Sequence, residues 1–151
     1  MSNTYDKLIE AVELENIFVR SVNSERFPEG DFKGNIQTDI GISQRIEFYT
    51  ENKFVALANF NVNAFDELET DKRLMEIDCN FILEYTLDTE VLKEVGSEEL
   101  EKALNIFINR NVPVNAWPYG REFISQMTTR MGLPALIIGT YKYLPSNKIE
   151  E

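Results

Sequence analysis

Side chains able to do chemistry are few in kind. The 151-residue chain carries 26 Asp and Glu against 15 Lys and Arg, one cysteine and no histidine, for a formal net charge of −11. Without histidine the commonest general base and the commonest transition-metal ligand are missing, which excludes Ser-His-Asp, Cys-His and histidine-metal chemistry. Cys79 stands alone, so no internal disulfide can form. It falls on the apolar parity of a predicted strand, where a thiol is a small core residue rather than a nucleophile. The carboxylate runs Asp66-Glu67-x-Glu69 and Glu98-Glu99-x-Glu101 read as solvated faces. The sequence holds neither a DxDxDG-type calcium loop nor a glycine-rich phosphate loop, its seven glycines being scattered singly. We therefore predict no catalytic residue, no metal and no cofactor, and read the chain as a non-enzyme. The negative charge also argues against nucleic acid, since phosphate binding needs clustered Lys and Arg.

One segment has a different character. Trp117 to Leu136 reads WPYGREFISQMTTRMGLPAL, with aromatics at its start and Gly120 allowing a close approach. Arg121 can bond forward to Ser125 and Glu122 to Gln126 at i+4 spacing. Glu122 is expected to pair with Arg121 or Arg130, a structural role for both members of the Arg121-Glu122 dipeptide. Met75, Met127 and Met131 together with the aromatics have the composition of an adaptable, low-specificity binding groove. Ordinary core packing is the other reading of the same pattern.

These residues need elements to hold them. Tyr5, Leu8, Ile9 and Val12 at helical spacing predict a short helix over 4–13, with Asn3 or Thr4 as its cap. A strand follows over Asn16–Val22, and Pro28, Gly30 and Gly34 mark SERFPEGDFKG as a loop. Ile36, Ile40, Ile42, Ile46 and Phe48 share one parity, with polar residues on the other, and predict a second strand. Glu51-Asn52 is a tight turn. Phe54, Ala56, Ala58, Phe60, Val62 and Ala64 form the apolar face of a third strand. Met75, Ile77, Cys79, Phe81, Leu83 and Tyr85 do the same for a fourth, which runs from Leu74 to Leu87. The short connections suggest an antiparallel meander. Ser97 is read as the cap of a helix striped by Leu100, Ala103, Leu104, Phe107 and Ile108. A second helix is expected to start near Pro118 and stop at Gly132-Leu133-Pro134. The fold class is thus α+β: a four-stranded antiparallel sheet (15–88) with helices (97–132) packed on one face, in a single domain over 1–151. Residues 1–102 hold 23 acidic and 10 basic side chains and residues 103–151 hold 3 and 5, so the acid sits on the sheet-bearing part. The start of the chain is polar and unlike a signal peptide. No apolar run approaches the ~18 residues of a membrane span. A cytoplasmic location is the expectation.

The segment Pro118-Tyr119-Gly120-Arg121-Glu122, followed by Ile124, Met127, Arg130, Pro134 and Leu136, resembles the SecB export-chaperone family. Its PYARE helix, later Arg and Pro-Leu spacing are kept, with Gly120 where Ala is usual. The resemblance covers roughly residues 14–137. It implies an ATP-independent chaperone that binds unfolded or extended polypeptide in apolar grooves, with Phe48, Phe54, Phe60, Trp117, Tyr119 and Phe123 as candidate lining. It implies a homotetramer, a dimer of dimers, with Tyr119, Gly120, Ile124, Met127 and Met131 at the helix interface. It also implies partners: unfolded preproteins or an antitoxin, and the SecA motor ATPase docked on Glu25, Leu74 and Glu76. Ser21 stands where the family usually has an acid. The glycine pair common in the fourth strand is missing, the first helix is an addition, and YKYLPSNKIEE stands where a final helix and acidic tail are usual. A small-molecule-binding or enzymatic α+β domain sharing only the fold is the alternative reading.

Overall fold

Strict alternation on two central strands builds the molecule. In order, the elements are α1 (Thr4–Ala11), β1 (Val12–Arg26), β2 (Ile36–Tyr49), β3 (Lys53–Asp66), β4 (Arg73–Leu87), α2 (Thr89–Leu92) and α3 (Ser97–Arg130). They come from a computed structural model that describes residues 3–28, 32–139 and 141. Gly30 of the predicted loop and the KYLPSNKIEE end lie outside the described residues.

The sheet is antiparallel, as the alternation predicts, with the order β1-β4-β3-β2. It is not a plain meander. β2, β3 and β4 follow one another by short connections, whereas β1 lies beside β4 at the far edge, and the chain crosses from one edge to the other between Arg26 and Ile36. This is a Greek-key path, which sequence patterning of single strands does not specify. The apolar parities of β3 and β4 are buried together, from Phe54 to Ala64 and from Met75 to Tyr85, and face the helices. The Glu51-Asn52 turn is closed by the Thr50 N–H donating to the Lys53 carbonyl at 2.7 Å.

The edge strands are longer and more exposed than their patterning suggests. β2 pairs Ile42 with Phe60 and Ile46 with Ala56, on the helix side. A bulge at Glu47 then shifts the register, so that Phe48 pairs with Val55 and lands on the opposite, outer face. The predicted common parity of Ile46 and Phe48 is thereby broken. β1 carries a matching irregularity at Arg20, between Val19 and Ser21. The two extra residues meet: Arg20 Nη1 lies 2.6 Å from Glu47 Oε1, although their strands are the two opposite edges of the sheet. The outer face is therefore curled enough for its edges to touch. Beneath, Val55, Leu57 and Ile82 form a small second cluster that is buried without any helix over it.

The helices differ from expectation in two ways. Gly96, not Ser97, caps α3, with no side-chain bond. More importantly, one 34-residue helix replaces the two predicted, and Pro113 and Pro118 lie inside it. Each proline removes one i→i−4 bond. Burial of Val112, Pro113 and Ala116 holds the chain helical across the gap. α1 ends at Ala11 and runs directly into β1, with Asn3 as its cap. The Tyr5 hydroxyl donates to Asn111 Oδ1 and ties α1 to α3.

Asp66, at the end of β3, anchors the crossover. It has no exposed surface, and its carboxylate accepts from the N–H groups of Lys33, Gly34 and Leu68. Burial pushes its carboxyl up, but backbone donors at Leu68, Lys33, Gly34 and Glu69 outweigh that and hold it below the ordinary value of 3.8. The folded value being the lower, its contribution to stability is full above the unfolded value and is lost as pH falls through the folded one. We predict that urea denaturation between about pH 6 and pH 2.5 will show a loss of stability that Asp66→Asn makes smaller, the variant being weaker at pH 6 and flatter below it. An unchanged pH profile in the variant would count against this anchor.

Candidate functional site

α3 can lie close on the sheet because Gly120 has no side chain. A Cβ there would stand 2.3 Å from Phe60 Cζ, and Phe60 is fully buried, so its ring has nowhere to move. From that point aromatic rings run along the interior. Trp117 sits 5.7 Å from Phe60, Phe60 meets Phe81 edge-on at 5.7 Å, and Phe81 meets Phe123 edge-on at 6.0 Å. Further along, Phe54 stacks on Tyr85 at 4.6 Å. The Tyr85 hydroxyl accepts from Asn115 at 2.8 Å, and burial pushes it up to about 12. Burial likewise pushes the Cys79 thiol up to about 12, which suits the inert core residue its strand parity predicts.

The predicted groove residues therefore separate. Phe54 and Phe60 have no accessible surface and belong to the core, so neither can wall a groove. Phe48 is 52% exposed, but on the outer face, across the sheet from the helices. Phe123 is half-buried against Phe81. Trp117 and Tyr119 do reach the surface, on different sides of α3. Trp117 lines a hollow of about 500 Å³ with Pro118, Arg121, Glu122, Ser125 and Ile137. Tyr119 lines one of about 260 Å³ against Leu14 to Ile17 of β1.

Of the predicted interface residues, Gly120 and Ile124 are buried against the sheet within this one chain and are unavailable to a second copy. Tyr119 is exposed, and Met127 and Met131 are half-buried. Ile106 and Val114, exposed on α3, escaped the sequence reading. Their i, i+8 spacing on an otherwise polar face was the available signal. Arg121 and Glu122 are exposed; Glu122 accepts from Gln126 at 3.2 Å, as the i+4 spacing predicts. Among the described residues no ion pair joins Glu122 to Arg121 or Arg130.

On the outer face, Glu25 of β1 stands directly opposite Glu76 of β4, an uncommon placement for like charges. Glu76 is offset by Arg73 at 3.0 Å. Leu74 is half-buried.

Past α3, residues 133–139 have neither helix nor strand yet are held down. The Leu136 N–H donates to the buried Thr128 hydroxyl at 2.9 Å, and the Trp117 indole N–H donates to the Gly139 carbonyl at 2.6 Å. Ile138 is 3% exposed and part of the main core, whereas Ile137 beside it is 63% exposed. Tyr141 rests on Trp117, ring centres 5.2 Å apart. Among the described residues no cluster of acidic and cysteine side chains could hold a metal ion, and no helix is long and apolar enough to cross a membrane.

A four-stranded antiparallel sheet in this order with a long helix across one face is the SecB-like fold. Among solved structures the chain is similar to a SecB-like chaperone of Mycobacterium tuberculosis, in complex with a ChAD peptide from the HigA1 antitoxin. The TM-score is 0.78 at 14% identity, over 92% of this chain and 96% of that one. A protein of unknown function from Streptococcus agalactiae matches with a TM-score of 0.43 at 11% identity, over 85% of this chain and 96% of that one. No family model and no curated protein matches the sequence.

The Gly120–Phe60 contact yields a prediction. Ala is the better helix former by roughly 1 kcal/mol, but overpacking a filled interior costs about 1–3 kcal/mol. Gly120→Ala should be net destabilising by up to about 2 kcal/mol in chemical denaturation, and adding Phe60→Leu should recover part of the loss. A more stable single variant would refute the contact.

Proposed function

We propose that this chain is an ATP-independent chaperone that binds unfolded or extended polypeptide through apolar surface beside α3. The observation that carries the reading is the open, largely apolar hollow between Trp117 on α3 and Ile137 of the following segment. Clients that differ in sequence share only backbone and apolar side chains, so a site for them needs apolar walls with few fixed polar partners. The fold supports the reading, since the similar M. tuberculosis protein is a chaperone holding a peptide. Its antitoxin peptide favours an antitoxin as client over exported preproteins. A high net charge of −11 keeps a protein with exposed apolar surface soluble.

In this reading the groove wall is Trp117, with Pro118 and Ile137 beside it, and the protein works as a cytoplasmic homotetramer associating through Tyr119, on the other side of α3, and the half-buried Met127 and Met131. The test is suppression of aggregation. Purified protein, its mass first read by light scattering, should suppress light scatter of a refolding client at several-fold excess without ATP, and Trp117→Ala should weaken that severalfold. No suppression by the wild type would reject the proposal.

The acidic outer face around Glu25 and Glu76 is the proposed contact for a SecA-type motor, by charge complementarity. Capture of the purified motor on immobilised protein should be lost with Glu76→Lys. Capture that survives the charge reversal, or fails with the wild type, would remove the motor from the scheme.

A further inference from the structure

Residues 133–139 behave as a bound peptide would. They have no strand partner and no helix, yet side chains of α3 hold their backbone at two points, midway and at the far end. Thr128 Oγ1 takes the Leu136 N–H at 2.9 Å, and Trp117 Nε1 gives its proton to the Gly139 carbonyl at 2.6 Å. Both bonds engage main-chain atoms, so they are indifferent to sequence. Side-chain burial alternates as in an extended segment: Leu136 half-buried, Ile137 exposed, Ile138 buried, Gly139 exposed. Leu133, Leu136 and Ile138 pack on the main core, and Tyr141 rests on the Trp117 ring. The fit is incomplete, because the hollow of about 500 Å³ lies open between Ile137 and the Trp117–Ser125 face of α3.

We propose that the channel holding residues 133–139 is itself a polypeptide-binding site, and that this strap is its resident occupant, which a client displaces. This rests on the chaperone reading and adds two things to it. The first is a ligand class: extended segments with aliphatic residues two apart, matching Leu136 and Ile138, and an aromatic three residues further on, matching Tyr141. The second is self-competition. A site filled in cis binds in trans only through the fraction of molecules whose strap is out, so the apparent dissociation constant is the intrinsic one divided by that fraction. Thr128 supplies the reason its hydroxyl is buried: its own proton goes to the Ile124 or Ser125 carbonyl, each at 3.0 Å, which leaves its lone pair for the strap.

The probe is a fluorescently labelled synthetic peptide with the sequence of residues 133–141, read by anisotropy against the full chain. Two variants weaken the strap and leave the receiving surface intact: Leu136→Pro, which deletes the N–H that Thr128 accepts, and Ile138→Ser, which empties the buried position. Each should tighten probe binding by about ten-fold relative to wild type, and the same peptide with Ile138→Asp should not bind. Circular dichroism and thermal melting establish that the variants are folded. A measurement independent of the variants is hydrogen exchange on the wild type: saturating probe should speed exchange of the Leu136 amide. Folded variants that bind the probe with wild-type affinity, or unchanged Leu136 exchange with probe bound, overturn the strap and leave the chaperone reading standing. Absence of probe binding by wild type and variants alike, together with no aggregation suppression, overturns both.

Discussion

The structure depends on one close approach, that of the α3 backbone to the Phe60 ring at Gly120. A helix laid over a sheet normally keeps its distance by the thickness of two side-chain layers. Here one layer is missing at the crossing point, and β3 offers Ala56, Ala58 and Ala64 on the same buried face. The approach sets Trp117 against Phe60, and Trp117 in turn fixes the Gly139 carbonyl. The surface beside α3 is thus positioned through a short chain of contacts that starts inside the core. A change at Gly120 reaches the surface without touching a surface residue.

How legible the molecule was follows from what kind of information each element uses. β3 and β4 are buried on one face along their whole length, so their alternation named the inner residues correctly, Cys79 included. β2 has the same alternation, yet the bulge at Glu47 carries Phe48 to the other face, and nothing in the spacing marks the extra residue. Strand order was equally hidden, since the partner of β1 is decided by the crossover that Asp66 pins and not by the pattern of β1 itself. The two helices expected on either side of residues 111–117 are one, although Pro113 lies between them. The join stays helical because Val112, Pro113 and Ala116 are all buried. The aromatic list mixed core and surface for a similar reason: Phe54, Phe60 and Trp117 look alike in one dimension, and only packing sorts them. The strap was the least visible element, being held by side chains that belong to another element.

The two faces of the sheet do different work. The inner face is closed by α1, α3 and the strap. The outer face is charged along Glu25 and Glu76, yet conceals the Val55, Leu57 and Ile82 cluster at its centre. A concave outer surface explains both facts, because curling hides central apolar side chains and leaves the charged ones at the rim.

That curl bears on a hazard that any chain with two long, unpartnered strand edges carries. β1 and β2 span 15 and 14 residues, and flat edges of that length invite copies to zip together into ordered fibrils. The ion pair between Arg20 and Glu47 draws the two edges toward one another, and each edge is broken at that same residue by its bulge. A flat, regular template is therefore never presented to a neighbouring copy. The bend that closes the outer face is thus also what keeps this sheet from pairing with its own kind.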